Sequence, residues 1–380
     1  LEFCTLKQEG RIKAVIATGC LAERYRDEMK KEIPELDAVV GIGSNGKICD
    51  IIREILLDKQ AVCSYGAKTE LSMEGGRIIS TEPFYAYIKI AEGCSNNCTY
   101  CAIPSIRGKY RSRRMEDIVK EARWLAENGV TELVVVAQDT TRYGEDIYGK
   151  SMLPELLTAL CEIDGFKWIR TLYCYPERIT DELLDVIAKE DKLVKYLDMP
   201  IQHCDKNILK RMNRHGDRET LTALIKKIRE KIPNVTLRTT LITGFPGETK
   251  EQFEELCEFV KEIRFERLGC FAYSPEEGTP AEKFEDQVPL KDRERRAEII
   301  MEEQMIISDS FNEAALDSEV EVVCEGFDRY AECYYGRSQA DAPEIDGKIF
   351  FLSEDKVRVG EYVKVKIDDT MDYDLIGSKM

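Results

Sequence analysis

The spacing of apolar positions divides the chain into stretches of different character. At the front, Lys13–Thr18 and Asp37–Val40 read as strands, and Leu21–Lys31 and Lys47–Leu57 as helices. This reads as a small α/β piece whose front half is expected to be missing. From about Ala67 to Thr81 the chain is polar, carries Gly75-Gly76 and reads as a linker. Strands and helices then alternate. The strands are Tyr85–Ala91, Glu132–Ala137, Trp168–Cys174, Lys195–Met199, Val235–Thr243 and Arg267–Tyr273, with helices starting near Met115, Met152, Thr180, Asp205, Arg218 and Thr249. Such alternation predicts a parallel sheet with right-handed crossovers. Six units make an incomplete barrel related to the eight-unit one, with its site at the C-terminal ends of the strands. A long polar helix, Leu290–Leu316, leads out. Glu319–Cys324, Arg329–Tyr335, Gly347–Phe351, Tyr362–Ile367 and Asp374–Lys379 are short strands between turn residues, the pattern of a small antiparallel barrel. The predicted fold is therefore α/β: an incomplete (β/α)6 barrel with a partial N-terminal α/β domain and a C-terminal antiparallel β-barrel. The predicted boundaries are 1–66, a linker at 67–82, 83–313 and 314–380.

Composition narrows the class. With 380 residues, 43% of them hydrophobic, the chain can bury one large core and one or two small ones. Apolar runs such as Leu133–Ala137 fall well short of the ~20 residues that span a bilayer, so no transmembrane helix is expected. No secretory signal opens the chain, and a cytoplasmic location is expected. The chain begins at Leu1, in what reads as the tail of a helix and without an initiator Met, so we expect a fragment. A net charge of −17 argues against broad nonspecific nucleic-acid binding. Residues 314–380 hold 8 basic and 16 acidic side chains, a net of −8, so the terminal barrel is acidic in its own right.

Fourteen cysteines change the picture more than the charge does. Cys49, Cys161, Cys174, Cys257 and Cys270 lie singly in apolar segments and read as small buried hydrophobes. Cys94, Cys98 and Cys101 do not. They stand at CxxxCxxC spacing on a loop that follows the strand ending at Ala91. Three thiolates on one short loop can hold three corners of an iron–sulfur cubane. With no fourth cysteine nearby, one iron stays open as a substrate site, as an open position does on catalytic zinc. The alternative is structural zinc, which wants four ligands and a second CxxC pair; no such pair is visible, and His203 and His215 lie far off in sequence.

CxxxCxxC after the first strand of a βα-repeat domain resembles the radical S-adenosylmethionine (SAM) superfamily. That resemblance implies a 4Fe–4S cluster whose open iron chelates SAM. It also places Tyr100 where a ring stacks near the adenine, although a loop aromatic covering the cluster reads equally well. TGCLAERY (Thr18–Tyr25), EGCSNNCTYCAIPSIRGKYRSR (Glu92–Arg113), AQDTTRYG (Ala137–Gly144), ITGFPGET (Ile242–Thr249) and YGRSQADAPEIDGKIFF (Tyr335–Phe351) tighten the resemblance to methylthiotransferases. These combine an N-terminal domain bearing a second 4Fe–4S cluster, a radical-SAM core and a C-terminal TRAM barrel that contacts the substrate. The resemblance gives Gln138 and Asp139 a role at the methionine part of SAM, although a turn reads equally well there, and it sets the region of Gly244 near the adenine; the end of the fourth strand puts Gln202 at the same rim. It makes Cys20 a ligand of the second cluster. The two earlier ligands of that cluster have no match here and Cys4 fits neither, so the cluster is expected to be incomplete in this chain.

Two branches of the family act on different substrates, an adenosine of tRNA or an aspartate of ribosomal protein S-twelve in the small ribosomal subunit. AQDTTRYG resembles the ribosomal-protein branch, and an acidic barrel suits a basic protein better than it suits tRNA. The expected reaction is β-methylthiolation of that aspartate, with an electron donor such as flavodoxin or ferredoxin. The alternatives are the tRNA reaction and a noncatalytic zinc module. Arg107, Lys109, Arg111, Arg113 and Arg114 form a basic run after the cysteine loop, read as a solvated face or as a seat for an acidic group.

Overall fold

The computed structural model describes residues 2–58 and 62–380; Leu1 and residues 59–61, which the predicted first domain includes, lie outside the described residues. Two compact units emerge. One comprises residues 1–77 with Glu92–Asn97 and Cys101–Arg111; the other comprises Ile78–Ala91, Cys98–Tyr100 and Ser112–Met380.

The first unit is a three-stranded parallel sheet in the order β1 (Ile16–Thr18), β2 (Ala38–Val40), β3 (Val62–Ser64). The central strand Ala38-Val39-Val40 is apolar throughout because both of its faces are covered. Val39 packs with Ala22 and Leu36 on one side, and Ala38 and Val40 with Ile51 and Ile55 on the other. Strand β3 was not anticipated, since its three residues carry no period long enough to read.

The second unit contains the six predicted core strands: β4 (Tyr85–Lys89), β7 (Glu132–Val136), β8 (Trp168–Thr171), β9 (Tyr196–Asp198), β10 (Thr236–Thr243) and β11 (Arg267–Ala272). Between β4 and β7 lie the two-residue strands β5 (Ala91–Glu92) and β6 (Arg111–Ser112). All core pairings are parallel, in two runs, β4-β7-β8 and β9-β10-β11, joined by a single bridge between Ile169 and Leu193. Crossover helices cover the outer face, and their starts follow capping chemistry. Thr249 accepts from the Gln252 amide at 3.3 Å while Gln252 Oε1 accepts from the Thr249 amide at 2.9 Å, and Asp205 caps Lys206–Arg211. In the helix Lys250–Ile263, Phe253, Leu256, Phe259, Val260 and Ile263 recur at helical spacing and are buried. The long helix Leu290–Ala314 does not simply lead out. It packs along β10 and β11, burying Ile300, Gln304, Ile307 and Ser308, and Gln304 Nε2 donates to the Phe265 carbonyl at 2.9 Å.

The last strands, β12 (Glu319–Asp328), β13 (Cys333–Arg337), β14 (Ile349–Leu352), β15 (Tyr362–Met371) and β16 (Asp374–Lys379), close a barrel in the order β12-β13-β14-β16-β15. It is not wholly antiparallel as predicted, because β14 and β16 pair in parallel. Five strands cannot alternate in direction all the way round a closed ring, so one pair must run parallel.

Between β13 and β14 a strap at residues 337–347 meets the N-terminal ends of the core strands. Arg337 Nη2 pairs with Glu132 Oε2, and its Nε donates to Glu325 Oε1 at 2.6 Å. Arg170 Nε donates to Glu132 Oε1 at 3.1 Å, and its Nη1 to the Gln339 carbonyl at 2.9 Å. Arg267 Nη2 reaches Asp341 Oδ1 at 2.6 Å, and the Tyr196 hydroxyl donates to Asp346 Oδ2 at 2.7 Å. Glu132 and Arg170 are 0% exposed and Arg337 2%, so the three charges at the centre of this network are desolvated. An apolar seam of Phe84, Tyr85, Trp168, Val323 and Ala342 runs beside it.

Candidate functional site

The cysteine loop leaves β5 through Gly93, whose φ is +74°. A Cβ there would overlap the Lys109 carbonyl oxygen, so the turn requires glycine on two counts. The Cys94 amide donates to the Gly108 carbonyl at 3.1 Å and the Tyr110 amide to Ser95 Oγ at 3.1 Å, closing the loop on itself. Gly93→Ala is expected to displace this loop and to cut the iron retained after anaerobic reconstitution by more than half, with little change in far-UV circular dichroism; unchanged iron would show that the turn is not needed.

Arg107, Arg111 and Arg113 of the basic run are held by the protein itself, while Lys109 and Arg114 are exposed. Arg107 Nη1 reaches both Glu92 oxygens at 3.1 Å, and its Nη2 donates to Cys20 Sγ at 3.2 Å. Burial works against this guanidinium's charge, but Glu92 and Cys20 outweigh it and its pKa is raised. Cys20 opens the helix Cys20–Glu32. Arg111 donates to the Lys68 and Thr69 carbonyls. Arg113 is buried and pairs with Glu121 at 2.7 Å, so a solvated face describes none of these three.

In the second unit Cys98 Sγ lies 3.1 Å from the Tyr175 hydroxyl. Arg214 stacks on the Tyr175 ring at 4.0 Å and donates to the Pro200 carbonyl at 2.8 Å. The Thr99 amide and hydroxyl donate to the Met212 and Arg211 carbonyls, which ties this turn of the loop to the residues after β9. Tyr100 packs against Ile208, Met212 and Phe245. Burial raises its hydroxyl pKa well above the usual value, Cys98 adds to the effect, and Arg214 opposes it. Tyr175 and Arg214 were missed from the sequence. The YCYP run that follows the third core strand offered a signal for Tyr175; Arg214, in a loop after a short helix, offered none.

At the other strand ends, Gln138 is exposed while Asp139 is 0% exposed. Asp139 accepts from the Thr141 hydroxyl at 2.6 Å, with Arg178 Nε at 3.7 Å. Gln202 is buried at φ +72°, and its backbone pairs with β10 through Thr240 and Ile242. The neighbouring His203 is fully buried, with Nδ1 accepting from the Asp205 amide at 2.9 Å and Nε2 3.5 Å from Glu248. On the Cβ side of Gly244, which has φ +67°, Arg293 fills the space. Glu248 holds this turn, accepting from the Gly244 amide at 2.9 Å and from Arg296 at 2.6 Å.

Cys94, Cys98 and Cys101 carry free thiols, the first two buried and the third half-buried. Among the described residues no three His, Cys, Asp or Glu side chains converge as a metal-holding group. The donor set, three soft thiols on one loop, fits an iron–sulfur cluster by its chemistry. Of the other cysteines, Cys161 and Cys174 are buried as expected, and burial pushes their thiols up to about 11 and about 12; Cys257 and Cys270 are half-buried, and Cys49 is exposed, contrary to expectation. No helix among the described residues is long and apolar enough to cross a membrane.

Comparison with known proteins bears directly on this arrangement. The Radical SAM superfamily model matches residues 88–260 and the TRAM domain model residues 318–379. The "Ribosomal protein uS12 methylthiotransferase RimO" of Clostridioides difficile (strain 630) is 50% identical over 99% of this chain and 85% of its own. The protein of that name from Clostridium tetani (strain Massachusetts / E88) is 48% identical over 96% of this chain and 82% of its own. The one from Thermoanaerobacter sp. (strain X514) is 48% identical over 99% and 86%. At such identity over nearly its whole length, the chain belongs to the RimO family of radical SAM methylthiotransferases.

Proposed function

We propose that this chain replaces a hydrogen on the β-carbon of an aspartate in ribosomal protein uS12 with a methylthio group. The observation that carries this reading is its collinearity, over 99% of the chain, with a relative named for that activity. Membership of the radical SAM superfamily implies a 4Fe–4S cluster and SAM. Cys94, Cys98 and Cys101 are the residues that would hold the cluster, which when bound supplies the electron that cleaves SAM.

The chain's own groups then have separate tasks. Tyr175 brings a hydroxyl to Cys98, and Arg214 places a fixed positive charge on the Tyr175 ring, so one ligand is oriented by residues outside the loop. Tyr100, Gln138, Asp139, Gln202 and Gly244 are the candidates for lining SAM. Asp139 reaches that role with its carboxylate already held by Thr141. Cys20 is the candidate ligand for a second 4Fe–4S cluster, with Arg107 donating to its sulfur. A flavodoxin or ferredoxin would supply the electron.

Charge favours a basic protein substrate over tRNA, though less simply than the count implies. Glu325, Asp341, Glu344 and Asp346 face Arg337, Arg267, Tyr85 and Tyr196 within the second unit. Exposed Glu332, Glu354, Asp368, Asp369 and Asp372 are left to meet a partner.

The test is to incubate the reconstituted enzyme with SAM, reductant and either purified uS12 or tRNA, and to weigh both. A uS12 heavier by one methylthio group in place of hydrogen, with unchanged tRNA, is the expected result; modified tRNA with unmodified uS12 would overturn it.

A further inference from the structure

Tyr173 stands two residues beyond the C-terminal end of β8 and is 42% exposed, although its neighbours Leu172 and Cys174 are 1% and 0% exposed. Its φ is +60°, the left-handed region, where a bulky side chain is costly and where glycine would sit without strain. The surroundings enforce the conformation. Its amide donates to Asp198 Oδ2 at 2.9 Å, and its carbonyl accepts from both the amide and the hydroxyl of Thr140 at 3.1 Å. Asp198 is itself 1% exposed and held by Arg238 Nη1 at 2.9 Å. Arg238 shares the half-exposed, alternating face of β10 with Thr240 and Ile242. Burial raises the Tyr173 hydroxyl pKa, with Asp198 adding to the effect and Arg238 opposing it. A fold that needed only the backbone shape would use glycine here. Strain kept alongside a half-open aromatic ring, at the strand ends that carry the site, marks a side chain retained for contact.

We propose that Tyr173 is a substrate-contact residue, its ring packing against the polypeptide segment that presents the target aspartate. A tyrosine gives large contact area for little conformational entropy, which is why it recurs among the few residues that dominate protein recognition. The assignment rests on the proposed uS12 reading and adds a residue to it that no ligand motif contains.

Two variants separate the ring from the backbone. Tyr173→Gly keeps the left-handed turn and removes the ring; Tyr173→Phe keeps the ring and removes the hydroxyl. In the reconstituted full chain, Tyr173→Gly is expected to weaken the Kd for purified uS12 about tenfold or more, while Tyr173→Phe stays within about threefold. Both should release deoxyadenosine from SAM, in the absence of uS12, at the rate of the unsubstituted chain. Wild-type affinity in Tyr173→Gly would overturn the proposal, and so would loss of substrate-free SAM cleavage in that variant, because the residue would then shape the site. Failure of the unsubstituted chain to bind uS12 would instead overturn the functional reading beneath it, so the two failures are told apart.

Discussion

Chains carrying Cys94→Ala, Cys98→Ala and Cys101→Ala together are expected to retain almost no iron or acid-labile sulfide from the first cluster, and to release no deoxyadenosine from SAM. The unsubstituted chain should bind about four irons at this site. The effect is all-or-none because a thiolate-bound iron has no comparable ligand to fall back on: neighbouring loop groups are amides and hydroxyls, poor donors for iron held with sulfide. The fold should survive, since these side chains contribute little to either apolar core. Iron and sulfide analysis, with circular dichroism on the same samples, checks both halves of the expectation. Zinc in place of iron in the unsubstituted chain, with no SAM cleavage, would sink the assignment. A single Tyr175→Phe change should act more gently, leaving iron content intact and shifting the cluster's reduction potential through loss of the hydroxyl near Cys98.

The second large effect is on stability. Glu132→Leu removes the carboxylate shared by two buried guanidiniums, those of Arg170 and Arg337, of which Arg337 keeps Glu325. Breaking one partner out of a desolvated ion network leaves charge without compensation and costs roughly 3–5 kcal/mol. Thermal denaturation should therefore show a clear drop in Tm for Glu132→Leu. The triple change Glu132→Leu, Arg170→Met, Arg337→Met should recover most of that loss, because apolar groups of similar volume escape the desolvation penalty and Glu325, part-exposed, turns to water. Equal instability of the single and triple variants would mean that the strap's shape, not its charge balance, holds this end of the unit.

The YGRSQADAPEIDG segment shows how far a motif can be read. In the sequence it belonged to a barrel expected to meet the substrate. In the structure Arg337, Asp341 and Asp346 face the N-terminal ends of core strands, opposite to the ends that carry the site. Pairing across 74 residues for Arg267 and Asp341, and across 150 for Tyr196 and Asp346, leaves no local trace, so no spacing could have announced it. Within the basic run, the partners of Arg107, Arg111 and Arg113 were hidden in the same way, while Lys109 and Arg114 stay exposed. Charge looks solvated until its partners are known, and Glu92, Glu121 and the carbonyls of Lys68 and Thr69 could be found only by folding the chain.

The sequence by itself determined the alternation of strands and helices, the six core strands, the cysteine triplet and the family, because each is written in short-range order: periodicities of two and 3.6 residues, capping pairs at three-residue spacing, and a ligand loop eight residues long. Tertiary structure alone decided what lies beside those residues. It set Tyr175 against Cys98 and Arg214 on Tyr175, forced a parallel pair into a five-stranded ring, and held Tyr173 in a left-handed turn through Asp198 and Thr140. Such contacts join residues distant along the chain, and their energies depend on burial that exists only once the whole unit has closed.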